Sequence, residues 1–124
     1  MSNYKMICLD IDGTLLNSQH KITEPTKIAI QKASRENGIP VILVSARPPK
    51  GILFLQSELQ INEPVICYSG ALVLDKTTRV LSNEIIPSNY VKEVHRIAEA
   101  QNVHISLYKD DEWFVEEMDE WAKQ

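Results

Sequence analysis

Two kinds of pattern alternate along the first half of the chain. Short runs are apolar at nearly every position, and longer stretches repeat apolar residues at helical spacing. Lys5 to Leu9 reads as a short strand that ends in acid at Asp10. Glu24 to Asn37 reads as a helix, with Ile28, Ala29 and Ala33 on one stripe. Thr23 is placed to cap it, Pro25 suits its first turn, and Asn37-Gly38 ends it. Val41-Ile42-Leu43-Val44 is β-branched or apolar throughout, as in a strand covered on both faces. Pro48-Pro49 opens a second helix containing Ile52, Leu53, Phe54, Leu55 and Leu59, and Val65 to Tyr68 is a third buried run. Strand, helix, strand, helix, strand with connections of this length predicts parallel strands joined by helical crossovers. The fold class is α/β, the first half of a doubly wound, Rossmann-like parallel sheet with a central first strand. Ligands in such sheets bind beyond the carboxyl ends of the strands, here Asp10, Ser45 and Ser69.

The pattern changes after residue 70. Ala71 to Leu74 and Arg79 to Leu81 flank a polar turn and read as a hairpin. Ser88 is placed to cap a helix from Asn89 to Gln101, with Val91, Val94, Ile97 and Ala98 on one face. Val103 to Leu107 and Trp113 to Val115 read as strands around Lys109 to Glu112, and Glu116 to Gln124 as a short acidic helix. The expected boundary falls near Ile86-Pro87, giving one domain over 1–86 and the start of another over 87–124.

The 124 residues carry 13 Lys and Arg against 17 Asp and Glu, a net charge of −4. A mildly acidic chain lacks the basic face a nucleic-acid binder needs, so no nucleic-acid partner is expected. No apolar run approaches the roughly 20 residues of a membrane span, and the N-terminus lacks the apolar stretch of a secretory signal. Cys8 and Cys67 each sit inside an apolar run, which suits free thiols in a reducing compartment. The expectation is a cytoplasmic protein with no membrane partner.

The sharpest chemical feature is Asp10-Ile11-Asp12-Gly13-Thr14. Two carboxylates directly after a buried strand repel each other unless a cation or a proton compensates. A magnesium site commonly uses one or two carboxylates together with water and substrate phosphate. Gly13 permits a turn that other residues resist, and Thr14 adds a hydroxyl. A second feature is Ser45-Ala46-Arg47, whose hydroxyl and guanidinium follow the second strand and suit phosphate oxygens. On residue types alone, a cap for the next helix is the lesser alternative for Ser45, whereas Arg47 serves equally as an anchor for its loop. Ser69-Gly70-Ala71 follows the third strand, with Gly70 as its turn residue.

Asp10 to Thr14 matches in full the Asp-x-Asp-Gly-Thr motif of the haloacid dehalogenase superfamily, and the chain resembles the Cof-like sugar-phosphatase branch. The resemblance implies that Asp10 is a nucleophile and Asp12 a general acid and base. It implies that the Asp10 carboxylate and the Asp12 main-chain carbonyl hold Mg2+. Thr14, Ser45, Arg47 and Gly70 would bind phosphate. Ser45-Ala46-Arg47 is similar to the second motif, with Ala46 where Gly is frequent, and Ser69 stands where the branch has Asn. Ser88 to Gln124 resembles the opening of an α/β cap.

What the resemblance implies is a magnesium-dependent phosphohydrolase of small phosphate monoesters, such as sugar phosphates, working through an aspartyl-phosphate. The family's third-motif lysine and fourth-motif acids have no match here. The chain therefore reads as the N-terminal portion of such an enzyme. The alternative is an inactive fragment acting as a phosphate-binding or interaction module. A sheet of this extent leaves apolar surface open, so the expected partners are a small phosphorylated metabolite and a second copy covering that sheet.

Overall fold

The computed structural model describes residues 3–116. They form two compact units, residues 1–83 and 84–124, with the described part of the second ending at Glu116.

The first unit is a mixed sheet in the order β1-β2-β3-β4-β5. Strands β1 (Ile7–Asp10), β2 (Val41–Val44) and β3 (Val65–Cys67) run parallel. Strands β4 (Leu72–Leu74) and β5 (Val80–Asn83) complete it antiparallel. Helix α1 (Glu24–Gln31) joins β1 to β2, and α2 (Pro49–Leu59) joins β2 to β3. Both crossovers step the same way, so right-handed connections bring α1 and α2 to one face. Contacts between them agree. Gln31 Nε2 donates to the Leu59 carbonyl at 2.9 Å, and Arg35 donates to the Gln60 carbonyl.

The core lies where these layers meet. Ile30, Val41, Leu43, Ile52, Leu55, Leu59, Val65 and Cys67 are buried together, with Leu72 and Leu74 from the hairpin strand. Val41 and Leu43, two apart on β2, point into it, as a strand's period of two requires. Ile42 on the alternate face is also buried, so β2 is covered on both sides, as its unbroken apolar run predicts.

The first strand departs from expectation. It was expected to be central and buried, but β1 is an edge strand. Leu9 is half-buried, and Ile7, Cys8 and Asp10 are exposed. Both crossovers step away from β1, so β2 and β3 lie on one side of it, and among the described residues no strand pairs with its other side.

Helix starts also differ in detail. Thr23 stands at the N-cap of α1, but its hydroxyl meets that of Thr26 at 2.9 Å rather than a backbone N–H. Helix α1 then widens into a π-helical turn over Lys32–Glu36. Helix α2 begins at Pro49 as expected, and a left-handed Gln60 (φ 55°) ends it.

The second unit holds α3 (Ser88–Ala100) and the hairpin of β6 (Ser106–Lys109) and β7 (Glu112–Val115). Pro87 takes the cap position expected of Ser88, which is the first helical residue. The hairpin pairs Leu107 with Phe114 and Tyr108 with Trp113, the last two stacked with centroids 6.5 Å apart. His95 Nε2 lies 2.6 Å from Glu116 Oε1. No residue of α3 is buried. The expected tail helix lies outside the described residues. Among those residues, no helix is long and apolar enough to cross a membrane.

Candidate functional site

The loop after β1 is built by an alternation of inward and outward residues. Ile11 and Leu15 are buried and anchor it, whereas Asp12, Gly13 and Thr14 are exposed. Asp12 is extended (φ −76°, ψ 120°), and Gly13 turns the chain at φ 77°, which costs a residue without Cβ little. The Leu16 N–H closes the loop on the Ile11 carbonyl at 3.1 Å. Thr14 Oγ1 donates to Asp10 Oδ2 at 3.1 Å, so the threonine hydroxyl orients the first carboxylate.

Register brings the other two strand ends to the same level. Asp10 pairs with Val44, and Val44 with Ile66. Immediately beyond, the Ser69 N–H donates to the Ser45 carbonyl at 3.0 Å, and the Tyr68 N–H to the Arg47 carbonyl at 3.2 Å. The ends of β2 and β3 are thus stitched together by backbone hydrogen bonds. The stitching requires unusual backbone. Tyr68 (φ 49°), Ser69 (φ 55°) and Gly70 (φ 102°) are three consecutive left-handed residues. Only the last is conformationally free, so the first two hold strain, which tends to concentrate at functional sites.

Ser45 is buried, and its Oγ accepts the Arg47 N–H at 3.2 Å. That turn leaves its hydroxyl unattached to the first turn of α2, where no side chain caps the helix.

The most specific contact joins loops 35 residues apart. Arg47 Nε donates to Asp12 Oδ2 at 3.0 Å, and Arg47 Nη2 to Asp12 Oδ1 at 2.7 Å. This two-pronged geometry is the strongest form of a guanidinium–carboxylate pair. It holds the Asp12 carboxyl below the usual carboxylate range and pushes the Arg47 guanidinium up, the direct hydrogen bonds being the main cause in both. Both side chains reach solvent, with 34% and 54% exposed for Arg47 and Asp12 respectively, so screening limits what the pair contributes to stability.

Sequence reasoning gave Arg47 two roles, phosphate binding or loop anchoring, and missed Asp12 as its partner. Charge signs alone offered the signal, but nothing local sets the distance. It also passed over Gly51, in the first turn of α2. A Cβ there would sit 3.5 Å from Arg47 Cβ and Cδ, so the glycine lies alongside the arginine stem.

Asp10 and the Asp12 carbonyl offer hard oxygen donors of the kind magnesium takes. Among the described residues, no group of three His, Cys, Asp or Glu side chains is placed to hold a metal ion. Two such donors from one loop are compatible with the one or two protein oxygens that a magnesium ion commonly takes.

Comparison with known proteins agrees with this arrangement. Residues 7–124 match the model of the haloacid dehalogenase-like hydrolase family. The chain is 31% identical over 119 residues to the HMP-PP phosphatase of Yersinia pestis, spanning 94% of this chain and 42% of that protein. It is 30% identical over 115 residues to the 5-amino-6-(5-phospho-D-ribitylamino)uracil phosphatase YitU of Bacillus subtilis, spanning 88% and 42%. A haloacid dehalogenase-like hydrolase from Bacteroides thetaiotaomicron superposes with a TM-score of 0.83 at 28% identity, over 93% of this chain and 44% of that one. The chain thus spans about two fifths of the length of these relatives. With the acidic loop at the end of the first parallel strand and a family match across nearly its full length, the chain belongs to the haloacid dehalogenase-like hydrolases.

Proposed function

We propose that this chain carries the nucleophile half of a magnesium-dependent phosphatase for small phosphate monoesters, sugar phosphates among them. The observation that carries the reading is the Asp10 carboxylate. It stands exposed at the end of a parallel strand, oriented by Thr14, with Asp12 two residues on in the same loop. In this mechanism an Asp10 oxygen attacks phosphorus as the bond to the leaving oxygen breaks, giving an aspartyl-phosphate. Asp12, ionised while Arg47 holds it, must first leave the guanidinium and take up a proton, which it then gives to the leaving oxygen. It then takes a proton from water, whose oxygen attacks phosphorus and releases phosphate from Asp10. Thr14, Ser45, Arg47 and the backbone at Gly70 bind the phosphate oxygens. The Asp10 carboxylate and the Asp12 carbonyl would hold magnesium, which would supply the positive charge that lets a carboxylate approach a phosphate dianion. A relative named for a phospho-ribityl compound supports a phosphorylated metabolite as substrate. We place residues 1–86 in the core domain and 87–124 at the start of a cap. Cys8 and Cys67, neither in a disulfide, support the cytoplasm as the compartment.

The test is magnesium-dependent hydrolysis of an aryl phosphate by the wild type and by Asp10→Asn. Hydrolysis that the substitution abolishes supports the reading. Hydrolysis that survives it removes Asp10 as nucleophile. A second reading, phosphate binding without turnover, is favoured by the Arg47 fork that occupies Asp12, and silence from both proteins supports it.

The free edge of β1, uncharged from Met6 to Leu9, supports self-association through this sheet. Sedimentation across a wide concentration range should show a dimer. A monomer at the highest concentration overturns that part of the proposal.

A further inference from the structure

Arg47 is held by its main chain and reaches out with its side chain. Its N–H donates to Ser45 Oγ at 3.2 Å, its carbonyl accepts the Tyr68 N–H at 3.2 Å, and Gly51 leaves room beside its stem, where a Cβ would sit 3.5 Å away. The side chain is 34% exposed, and its guanidinium grips both oxygens of Asp12. A planar fork of N–H donors fits a carboxylate and a phosphate by the same geometry. It cannot give the same two donors to both at once.

We infer that Arg47 is shared between Asp12 and an incoming phosphate group, so that phosphate binding releases the Asp12 carboxylate from its clamp. The inference rests on the proposed phosphate site and adds an order of events to it. With the site empty, the arginine neutralises Asp12 and keeps it from a second partner. With phosphate present, the guanidinium transfers to the anion, and Asp12 turns toward the leaving oxygen only when a substrate is there to need it. Both side chains reach solvent, so water and salt compete for the pair and leave it open to exchange. A phosphate dianion, with more charge and three oxygens, outcompetes a carboxylate for the same fork. The main chain of Arg47 is tied down at both its N–H and its carbonyl, so the exchange requires movement of the side chain alone.

A double-mutant cycle on inorganic phosphate binding tests this, read by titration calorimetry with magnesium in excess. The proteins are wild type, Asp12→Asn, Arg47→Met and the double variant. Removing the Asp12 charge favours an anion in any background, so the cycle isolates the shared guanidinium. Asp12→Asn should raise phosphate affinity about fivefold more when Arg47 is present than in the Arg47→Met background. Equal gains in the two backgrounds overturn the inference while leaving the phosphate site intact. No phosphate binding by the wild type removes the site and the inference together. Both side chains reach solvent, so the variants should fold, as their melting curves will show. Should Arg47→Met fail to fold, Arg47→Lys keeps the charge, loses the fork and carries the cycle with a reduced but non-zero coupling.

Discussion

The two units of this chain carry equally clear patterns and bury very different amounts of surface. Every fully buried side chain among the described residues lies before residue 84. Yet α3 displays a clean apolar stripe through Val91, Val94, Ile97 and Ala98, and none of it is buried. Its hairpin presents Leu107 and Phe114 on one face and Tyr108 and Trp113 on the other, all of them exposed. The difference is one of layers. In the first unit, two helices cover one face of five strands, and Val41 and Leu43 meet Ile52 and Leu55. In the second, one helix and two strands offer apolar faces without enough structure to close over them. An amphipathic stripe specifies a helix, but stability comes from the surface it packs against. A two-stranded hairpin is likewise marginal unless something covers it.

The largest expected effect breaks this comparison if it fails. Leu43 is wholly buried at the centre of the sheet. Leu43→Ala should cost about 2–5 kcal/mol, since it removes packed methyl groups and leaves a cavity. Ile97 occupies the equivalent inward position of α3's stripe but is 50% exposed. Ile97→Ala should change stability by no more than about 0.5 kcal/mol, as a surface substitution does. Urea unfolding of both variants decides the matter. Equal losses would mean that α3 is buried in solution by a partner, and the contrast between the units would belong to the isolated chain only.

The same contrast explains which features could be read in advance. Contiguous features were legible. The Asp10 to Thr14 loop is chemistry written in five adjacent residues, and Val41 to Val44 declares a doubly covered strand without reference to anything distant. The Pro48-Pro49 helix start is local too. Features set by tertiary choice were not. That β2 and β3 both lie on one side of β1 follows from the direction of two crossovers, which the strand's own apolar residues do not encode. The Arg47–Asp12 fork joins loops that are neighbours only after β1 and β2 pair. The left-handed backbone at Tyr68 and Ser69 is equally hidden, because neither residue type favours it. Thr23 marks its helix start correctly, but its hydroxyl finds a side-chain partner instead of the backbone.

A smaller effect sharpens the comparison within the first unit, at a place held by hydrogen bonds rather than burial. The turn between β4 and β5 is organised by Asp75. Its Oδ1 accepts the Thr77 N–H and hydroxyl, both at 2.7 Å, and the Arg79 N–H at 2.9 Å. These bonds, the Thr77 hydroxyl first among them, hold the Asp75 carboxyl below its ordinary value of 3.8. A carboxyl with a depressed folded value favours the folded state when ionised. Its contribution is therefore complete above the unfolded value, about 4, and is lost as pH falls through the lower folded value. Melting temperatures measured from pH 7 down to pH 2 should fall at the acid end, and Asp75→Asn should flatten part of that fall. The substitution should lower stability slightly at pH 7, and the difference should shrink toward the acid end as the wild-type carboxyl takes up its proton. An acid-end slope unchanged by Asp75→Asn would move the pH dependence elsewhere. The Asp12 carboxyl, depressed by Arg47, is then the next group to substitute.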